Sequence, residues 1–258
     1  MAAERPLEGR LAVVTGILGQ LGPVWARALE DAGARVVGLD VREGGDVDPG
    51  GRARYETRVA DVTDRAALEA VAAELGPVDV LVNNAGIDQP PDAAASTWAI
   101  EDVPAADFEA TLAVNLTGTF LATQAFGARM RDAGRGSIVN VGSLYATLAP
   151  DPSLYDHLDA DPPFLKPPAY GASKAGVLAL TRYFARLWGP AGVRVNAISP
   201  GGVLAGQDEE FLRKYCARVP MRRMAEPADL GGALVFLASD AGRYVTGQEL
   251  RVDGGFSA

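Results

Sequence analysis

Short apolar runs alternate with helical segments along almost the whole chain, and that alternation limits the folds open to it more than any other feature. Leu11-Ala12-Val13-Val14-Thr15 reads as a strand with no polar face, and similar runs recur at 35–40, 55–59, 78–83, 137–141, 194–199 and 250–252. A strand that is apolar on both faces has to be covered on both, which is the condition of a parallel sheet joined by crossover helices. The segments between the runs supply those helices. Thr63 or Asp64 can cap one that runs to Leu75. Phe108, Leu112, Leu116 and Phe120 recur at helical spacing and predict one long helix over about 105–130. Val177, Leu180, Phe184 and Leu187 predict another. The expected architecture is α/β and doubly wound, with about seven parallel strands and helices on both faces. Its ligands would bind beyond the carboxyl ends of the strands.

Composition removes several function classes. The 258 residues suffice for one large α/β domain. The formal net charge is -9, and an acidic surface repels polyphosphate, so nucleic acid is not an expected partner. With one cysteine, Cys216, and one histidine, His157, neither an intrachain disulfide nor a Cys/His zinc site can form, and no metal is expected. Scarce cysteine fits a cytoplasmic protein. The first ten residues lack the apolar core of a secretory signal, and no apolar stretch is long enough to span a bilayer, so no membrane association is expected. Residues 149–168 hold six prolines and four aspartates, yet the strand–helix pattern resumes beyond them. They therefore read as a loop inserted into a single domain covering 1–258.

The first strand runs into Gly16-Ile17-Leu18-Gly19-Gln20-Leu21-Gly22, and a helix follows. Glycines at 16, 19 and 22 permit a tight turn and a close approach of backbone to a pyrophosphate. The helix N-terminus then offers N–H groups and a positive dipole end. Asp40 ends the second strand, where a carboxylate can bond the adenosine ribose and would repel a 2′-phosphate. NAD is therefore expected over NADP, although Arg42 stands close enough to neutralise such a phosphate.

Tyr170 and Lys174 are four residues apart and lie on one helix face. A tyrosine proton normally leaves near pH ~10, too high for a base at neutral pH, and a nearby ammonium favours the phenolate. Ser143, just past the fifth strand, can hold a substrate oxygen.

Together these residues resemble the short-chain dehydrogenase/reductase family, in the length class of its shorter members. The resemblance runs from Leu11 to Gly255. It includes the glycine turn, Asp61-Val62, Asn83-Asn84-Ala85-Gly86, Asn115, Ser143, Tyr170 with Lys174, Pro200-Gly201, Val245-Thr246-Gly247-Gln248 and Val252-Asp253-Gly254-Gly255. It implies a Rossmann fold and an NAD-dependent oxidoreductase that interconverts a secondary alcohol and a ketone. Tyr170 would be the general acid/base, with Lys174 lowering its pKa and holding the nicotinamide ribose. Ser143 would bond the substrate oxygen, and Asn115 would position a water in a proton relay. Gly16, Leu18, Gly19, Gln20, Leu21 and Gly22 would hold the pyrophosphate. Asp40 and Val41 would meet the adenosine ribose, and Asp61 and Val62 would flank the adenine. Asn84, Ala85 and Gly86 would line the cleft, and Pro200, Gly201 and Val203 would lie along the nicotinamide. Asn83 and Asn84 could instead mainly fix loop backbone, and Asn115 could satisfy a kink in its helix.

Three departures qualify this. The family's commonest glycine pattern has glycine where Gln20 stands, and the spacing here resembles the extended branch instead. Ser143 and Tyr170 are about twice as far apart as is usual. Tyr155 sits at the usual distance but is followed four residues on by Asp159, the wrong charge for lowering a phenol pKa. Ala205 stands where a threonine commonly bonds the carboxamide.

The insert at 149–168 falls between two candidate catalytic residues, so it is expected as a lid or wall of the substrate pocket, or as a solvent loop or oligomer contact. Tyr145, Tyr155, His157 and Lys166 are candidate substrate contacts. A substrate loop at 202–224 carries Arg213, Lys214, Arg218, Arg222 and Arg223, which could bind an anion or form a solvated helix face. The insert and the Gly201-Gly202 loop followed by Gln207 also resemble bacterial relatives associated with surface-polysaccharide and flagellin sugar modification. That points to a small-molecule substrate of sugar or sugar-acid type. The resemblance further implies a homotetramer or homodimer. Two other classes compete: a non-catalytic dinucleotide-binding regulator or scaffold, and a serine hydrolase. The latter lacks the second glycine of a nucleophile elbow and would depend on His157.

Overall fold

The computed structural model describes residues 5–44, 55–89 and 97–258. Its strands are β1 (Leu11–Thr15), β2 (Arg35–Asp40), β3 (Glu56–Val59), β4 (Val80–Asn83), β5 (Gly136–Val141), β6 (Val193–Pro200) and β7 (Glu249–Val252). They form one sheet in the order β3-β2-β1-β4-β5-β6-β7, with every pair parallel. The helices are α1 (Gly22–Asp31), α2 (Arg65–Leu75), α3 (Ala105–Leu112), α4 (Thr119–Ala133), α5 (Pro168–Trp188), α6 (Glu209–Arg218) and α7 (Gly231–Ala238). Among the described residues no helix is long and apolar enough to cross a membrane.

The apolar strands are covered on both sides, as their composition requires. Successive residues of β1 point to opposite faces: Val14 joins Trp25, Leu29 and Leu234 under α1 and α7, while Val13 joins Leu68, Phe126 and Phe184 under α2, α4 and α5. Burying one such large side chain contributes about 1.5–3 kcal/mol. Strand order reverses between β1 and β4, and the crevice at their carboxyl ends is where such a sheet accepts a ligand. Asp64 caps α2 by accepting the N–H groups of Ala66 and Ala67.

The long helix expected over 105–130 is interrupted. Residues Ala113–Gly118 form a π-helical turn between α3 and α4. The wider turn shifts the phase of everything after it. Phe108, Leu112, Leu116 and Phe120 are all only partly buried, and beyond the turn α4 presents Ala122, Ala125, Phe126 and Met130 to the core. On α5, Leu187 is 53% exposed and Trp188 fills the position under the sheet.

A third apolar cluster lies away from both faces of the sheet. Leu154, Tyr155 and Phe164 of the insert pack with Phe211 and Tyr215 of α6, and with Val219 and Met224 beyond it.

Candidate functional site

At the end of β1 the backbone turns at Gly16 with φ 65°, a conformation that disfavours any residue with a Cβ. A Cβ there would also lie 2.7 Å from Cα of Ala85, and one on Gly22 would lie 2.2 Å from the Ile17 carbonyl oxygen. α1 begins without a side-chain cap and without an acidic residue in its first turn. Its N–H groups and dipole are thus available to an anion. Asn84 fixes the turn from the next strand: its amide donates to the Thr15 and Gly16 carbonyls at 3.0 and 2.9 Å, and its oxygen accepts from Trp25 Nε1 at 2.8 Å. The side chain of Asn84 therefore fixes the loop backbone, one of the two roles expected for it.

Asp40 closes β2 with its carboxylate against the turn. Oδ2 accepts the Leu18 N–H at 3.0 Å, and Oδ1 accepts Arg42 Nε at 3.0 Å. Burial acts to raise its pKa, but the Arg42 and Leu18 bonds outweigh that and hold the carboxyl below the ordinary range. The guanidinium of Arg42 is paired to Asp40 itself. This glycine cradle, the uncapped start of α1 and the carboxylate fit an adenine dinucleotide. Asp61 spends one oxygen on the N–H and hydroxyl of Thr63, both at 2.8 Å, and buried Val62 packs against Gly118. Val41 is exposed just beyond Asp40.

Two consecutive residues connect this turn to the chemistry. Ala85 abuts Gly16, and a Cβ on Gly86 would lie 3.6 Å from Lys174 Nζ and 3.3 Å from Asn115 Oδ1. Asn115 sits in the π-helical turn. Its oxygen accepts the Ile87 N–H at 2.8 Å, and its amide donates to the Ile87 carbonyl and to Ser173 Oγ at 3.0 and 3.1 Å. Its side chain thus clamps the strand-end loop and α5 together.

On α5, Lys174 is buried and donates to the Val141 carbonyl at 2.8 Å. Burial pulls its pKa down to about 8. Its Nζ is 5.8 Å from the centroid of the Tyr170 ring. Burial and the nearby carboxylate of Asp88 push the Tyr170 phenol up, while the hydroxyl of Ser143 pulls it down. A direct lysine–phenol bond is therefore not how these two groups meet. Pro200 ends β6 and Gly201 and Val203 follow it, with the Gly201 N–H on the Val252 carbonyl at 3.0 Å. Beside Ala205, Gln207 folds back, accepting the Ala205 N–H at 2.9 Å and donating to the Val203 carbonyl at 2.8 Å.

The insert is docked against α6. Tyr155 packs between the rings of Phe164 and Phe211, and its hydroxyl lies 3.2 Å from that of Tyr145. Burial is the first cause that pushes the Tyr155 phenol up, followed by Tyr145. His157 is turned toward α6: Nε2 is 2.9 Å from Asp208 and Nδ1 is 3.2 Å from Lys214 Nζ. Lys214 also pairs with Asp156, and Arg218 with Asp151 at 2.8 Å. Arg213 and Arg223 pair with Glu210 and Asp229. Four of the five cations of the 202–224 loop thus hold down the insert or their own neighbours, while Arg222 donates to the Ala217 carbonyl and is paired with no carboxylate among the described residues. A cavity of about 360 Å³ opens beside Tyr170, lined by Ile87, Asp88, Trp98, Phe108 and Leu165.

Asn83 leads to partners, Thr123, Asn140 and through it Thr181, that belong to none of the motifs. Asn83 donates to Thr123 Oγ1 and Asn140 Oδ1 at 3.0 and 2.8 Å, and Asn140 donates to Thr181 Oγ1 at 2.8 Å. This buried amide ladder joins β4, β5, α4 and α5 beneath the site. A lone asparagine inside the apolar run of β5 was the available signal.

A family model described as enoyl-(acyl carrier protein) reductase matches residues 16–257. The chain is 38% identical to a D-threitol dehydrogenase from Mycolicibacterium smegmatis, over 97% of this chain and 94% of that protein. The chain belongs to the short-chain dehydrogenase/reductase family. A galactitol 2-dehydrogenase from Cereibacter sphaeroides is likewise 38% identical, over 97% of this chain and 96% of that one. Among solved structures of this family, a short-chain dehydrogenase from Leptospira borgpetersenii with bound NAD+ superposes with a TM-score of 0.85. It is 34% identical over 98% of this chain and 94% of that one. A gluconate 5-dehydrogenase from Burkholderia cenocepacia in complex with NADP and tartrate gives 0.83, with 31% identity over 98% and 97%. A nicotinamide dinucleotide is therefore the supported cofactor, and the family relation accounts for the seven-stranded sheet.

Proposed function

We propose that this chain is an NAD(H)-preferring dehydrogenase of acyclic polyols or sugar acids, with Tyr170 as its general acid/base. The observation that carries the reading is the continuous contact from the glycine turn through Ala85 and Gly86 to buried Lys174, one helical turn from Tyr170. The threitol and galactitol dehydrogenases support the substrate class. NAD preference is supported by Asp40, whose carboxylate would repel a 2′-phosphate, and by Arg42 being engaged with that carboxylate.

A nicotinamide held by the glycine turn and Lys174 would supply the hydride acceptor for the carbinol carbon of the substrate. Tyr170 takes the proton of the substrate hydroxyl as a phenolate and returns it in the reverse direction. Ser143 holds the same oxygen by a hydrogen bond. Lys174 supplies the positive charge that favours the phenolate and, as a donor, would hold the nicotinamide ribose. A homotetramer or homodimer would cover the outer face of α5, where Tyr183 is 62% and Leu187 53% exposed.

The test is a panel of threitol, galactitol, glycerol and gluconate with NAD and with NADP, followed by NADH or NADPH absorbance. Tyr170→Phe should lower kcat by about 10²–10⁴-fold, the usual contribution of a general acid/base, with cofactor binding retained. Loss of activity in Tyr155→Phe but not in Tyr170→Phe would reverse the assignment of the tyrosine. NADP preference that Asp40→Ala leaves unchanged would overturn the cofactor preference. Dinucleotide binding without turnover on the panel would favour a regulatory role.

A further inference from the structure

The insert sends one charged side chain inward. Lys166 comes from its last residues, and its side chain is only 7% exposed. Nζ lies 2.6 Å from Asp88 Oδ2, 3.2 Å from the Gln89 carbonyl and 5.4 Å from the centroid of the Tyr170 ring. Asp88 stands just beyond β4, and its other oxygen accepts the Gln89 N–H at 2.9 Å. The carboxylate of Asp88 acts on Tyr170, Tyr145 and Tyr155 alike, opposing ionisation of each. A phenolate formed at Tyr170 would therefore meet a negative charge on one side, and Lys166 sits between the two as the counterweight.

Resting on the assignment of Tyr170 as general acid/base, we propose that Lys166 is a positioning residue for proton transfer: it binds and neutralises Asp88 beside the Tyr170 ring, so that the insert completes the electrostatics of the reacting hydroxyl. The groups that face Tyr170 are Lys174 from α5, Ser143 and Tyr145 from the turn after β5, Asp88 from the loop after β4, and Lys166 from the insert. Lys174 is buried and spends its hydrogen bond on Val141, and it acts on Asp88 only through space, whereas Lys166 binds that carboxylate directly. A cation above an aromatic ring is attracted to its face, and more strongly once the ring oxygen carries charge. An unpaired carboxylate at the same place would push the phenol pKa up. The proline pair Pro167-Pro168, which opens α5, sets the short stiff path from Lys166 to Tyr170. The unusual length of chain between Ser143 and Tyr170 thus has a chemical consequence as well as a steric one.

The pH profile of kcat/KM for alcohol oxidation distinguishes this from a merely structural ion pair. Lys166→Met should move the acidic limb upward by about one pH unit, lowering kcat/KM about tenfold near neutrality, with the loss shrinking as pH rises. Asp88→Asn should move the limb the opposite way. Lys166→Arg should stay close to the parent, and Lys166→Met with Asp88→Asn should return the limb toward its starting position. Dinucleotide binding by fluorescence and thermal melts would accompany each variant. If Lys166→Met does not fold, Asp88→Asn and Lys166→Arg still decide the question by the direction of their shifts. An unmoved limb, or a loss equal at every pH, overturns the role of Lys166 while leaving Tyr170 in place, provided Tyr170→Phe is inactive. An active Tyr170→Phe overturns the reading on which it rests.

Discussion

At the cofactor end of the cleft, Gly16, Gly22 and Asn84 hold the turn through backbone contacts and amide bonds between neighbouring strands. At the substrate end, the insert is held through stacked rings and opposite charges supplied by α6. The first region owes its shape to sterics, which leave few alternatives to glycine. The second owes it to side-chain pairing that many other residue choices could replace. A dinucleotide has one shape, and the steric solution suits it. A substrate pocket has to differ between enzymes that share a fold, and a replaceable solution suits that.

Breaking the aromatic cluster should give the largest effect on stability. Phe164→Ala removes a buried ring that packs edge-on against Tyr155. Such a truncation costs about 3–5 kcal/mol when the site cannot collapse. Because the cluster lies outside both faces of the sheet, the loss should appear as a raised KM and as protease sensitivity in 149–168, with dinucleotide affinity nearly retained. Gly22→Ala should show the reverse. Its Cβ would press on the Ile17 carbonyl, at a cost of about 1–3 kcal/mol, so urea midpoint and dinucleotide affinity should fall together while the insert remains protected.

A smaller effect separates the two regions by pH. Asp40 is held below its ordinary pKa of 3.8 in the folded chain. Its contribution is therefore complete above that value and disappears as pH falls through the lower folded value. Asp40→Asn should flatten this part of the acid-denaturation curve and weaken discrimination against NADP. The smallest effect belongs to Arg218→Ala, which cuts the ties of α6 to the Asp151 carboxylate at 2.8 Å and to the Ser153 hydroxyl at 2.7 Å. A partly exposed pair of this kind is worth about 0–1 kcal/mol, so a melt should barely move at physiological salt. A large shift would mean that the ties to α6 act as a network.

The same division explains what was legible in the sequence. The strands, the glycine turn, Asp40 at the end of β2 and the Asp64 cap are decided by residues within a few positions of one another. The π-helical turn at Ala113–Gly118 left one trace, the reading of Asn115 as satisfying a kink; the apolar spacing at intervals of four looks the same on either side of it. The true orientation of His157 was not legible, since its partners Asp208 and Lys214 lie on an element remote in the chain. Lys166 was visible as a candidate contact of the pocket, but Asp88, 78 residues earlier, was not visible as its partner.

Helix α5 carries Ser173, Lys174 and Thr181, and each is bonded to a different part of the molecule: Asn115 in the π-helical turn, the Val141 carbonyl of β5, and Asn140 in the interior of β5. Three attachments at different heights and angles fix both the rotation of a rod and its slide along its axis. Tyr170 therefore sits on a fixed rod, while the insert and α6 are held by side-chain pairs that other residues could replace. On the proposed assignment of Tyr170, substrate range would be altered by exchanging that one surface segment while the phenol stays where the sheet has set it.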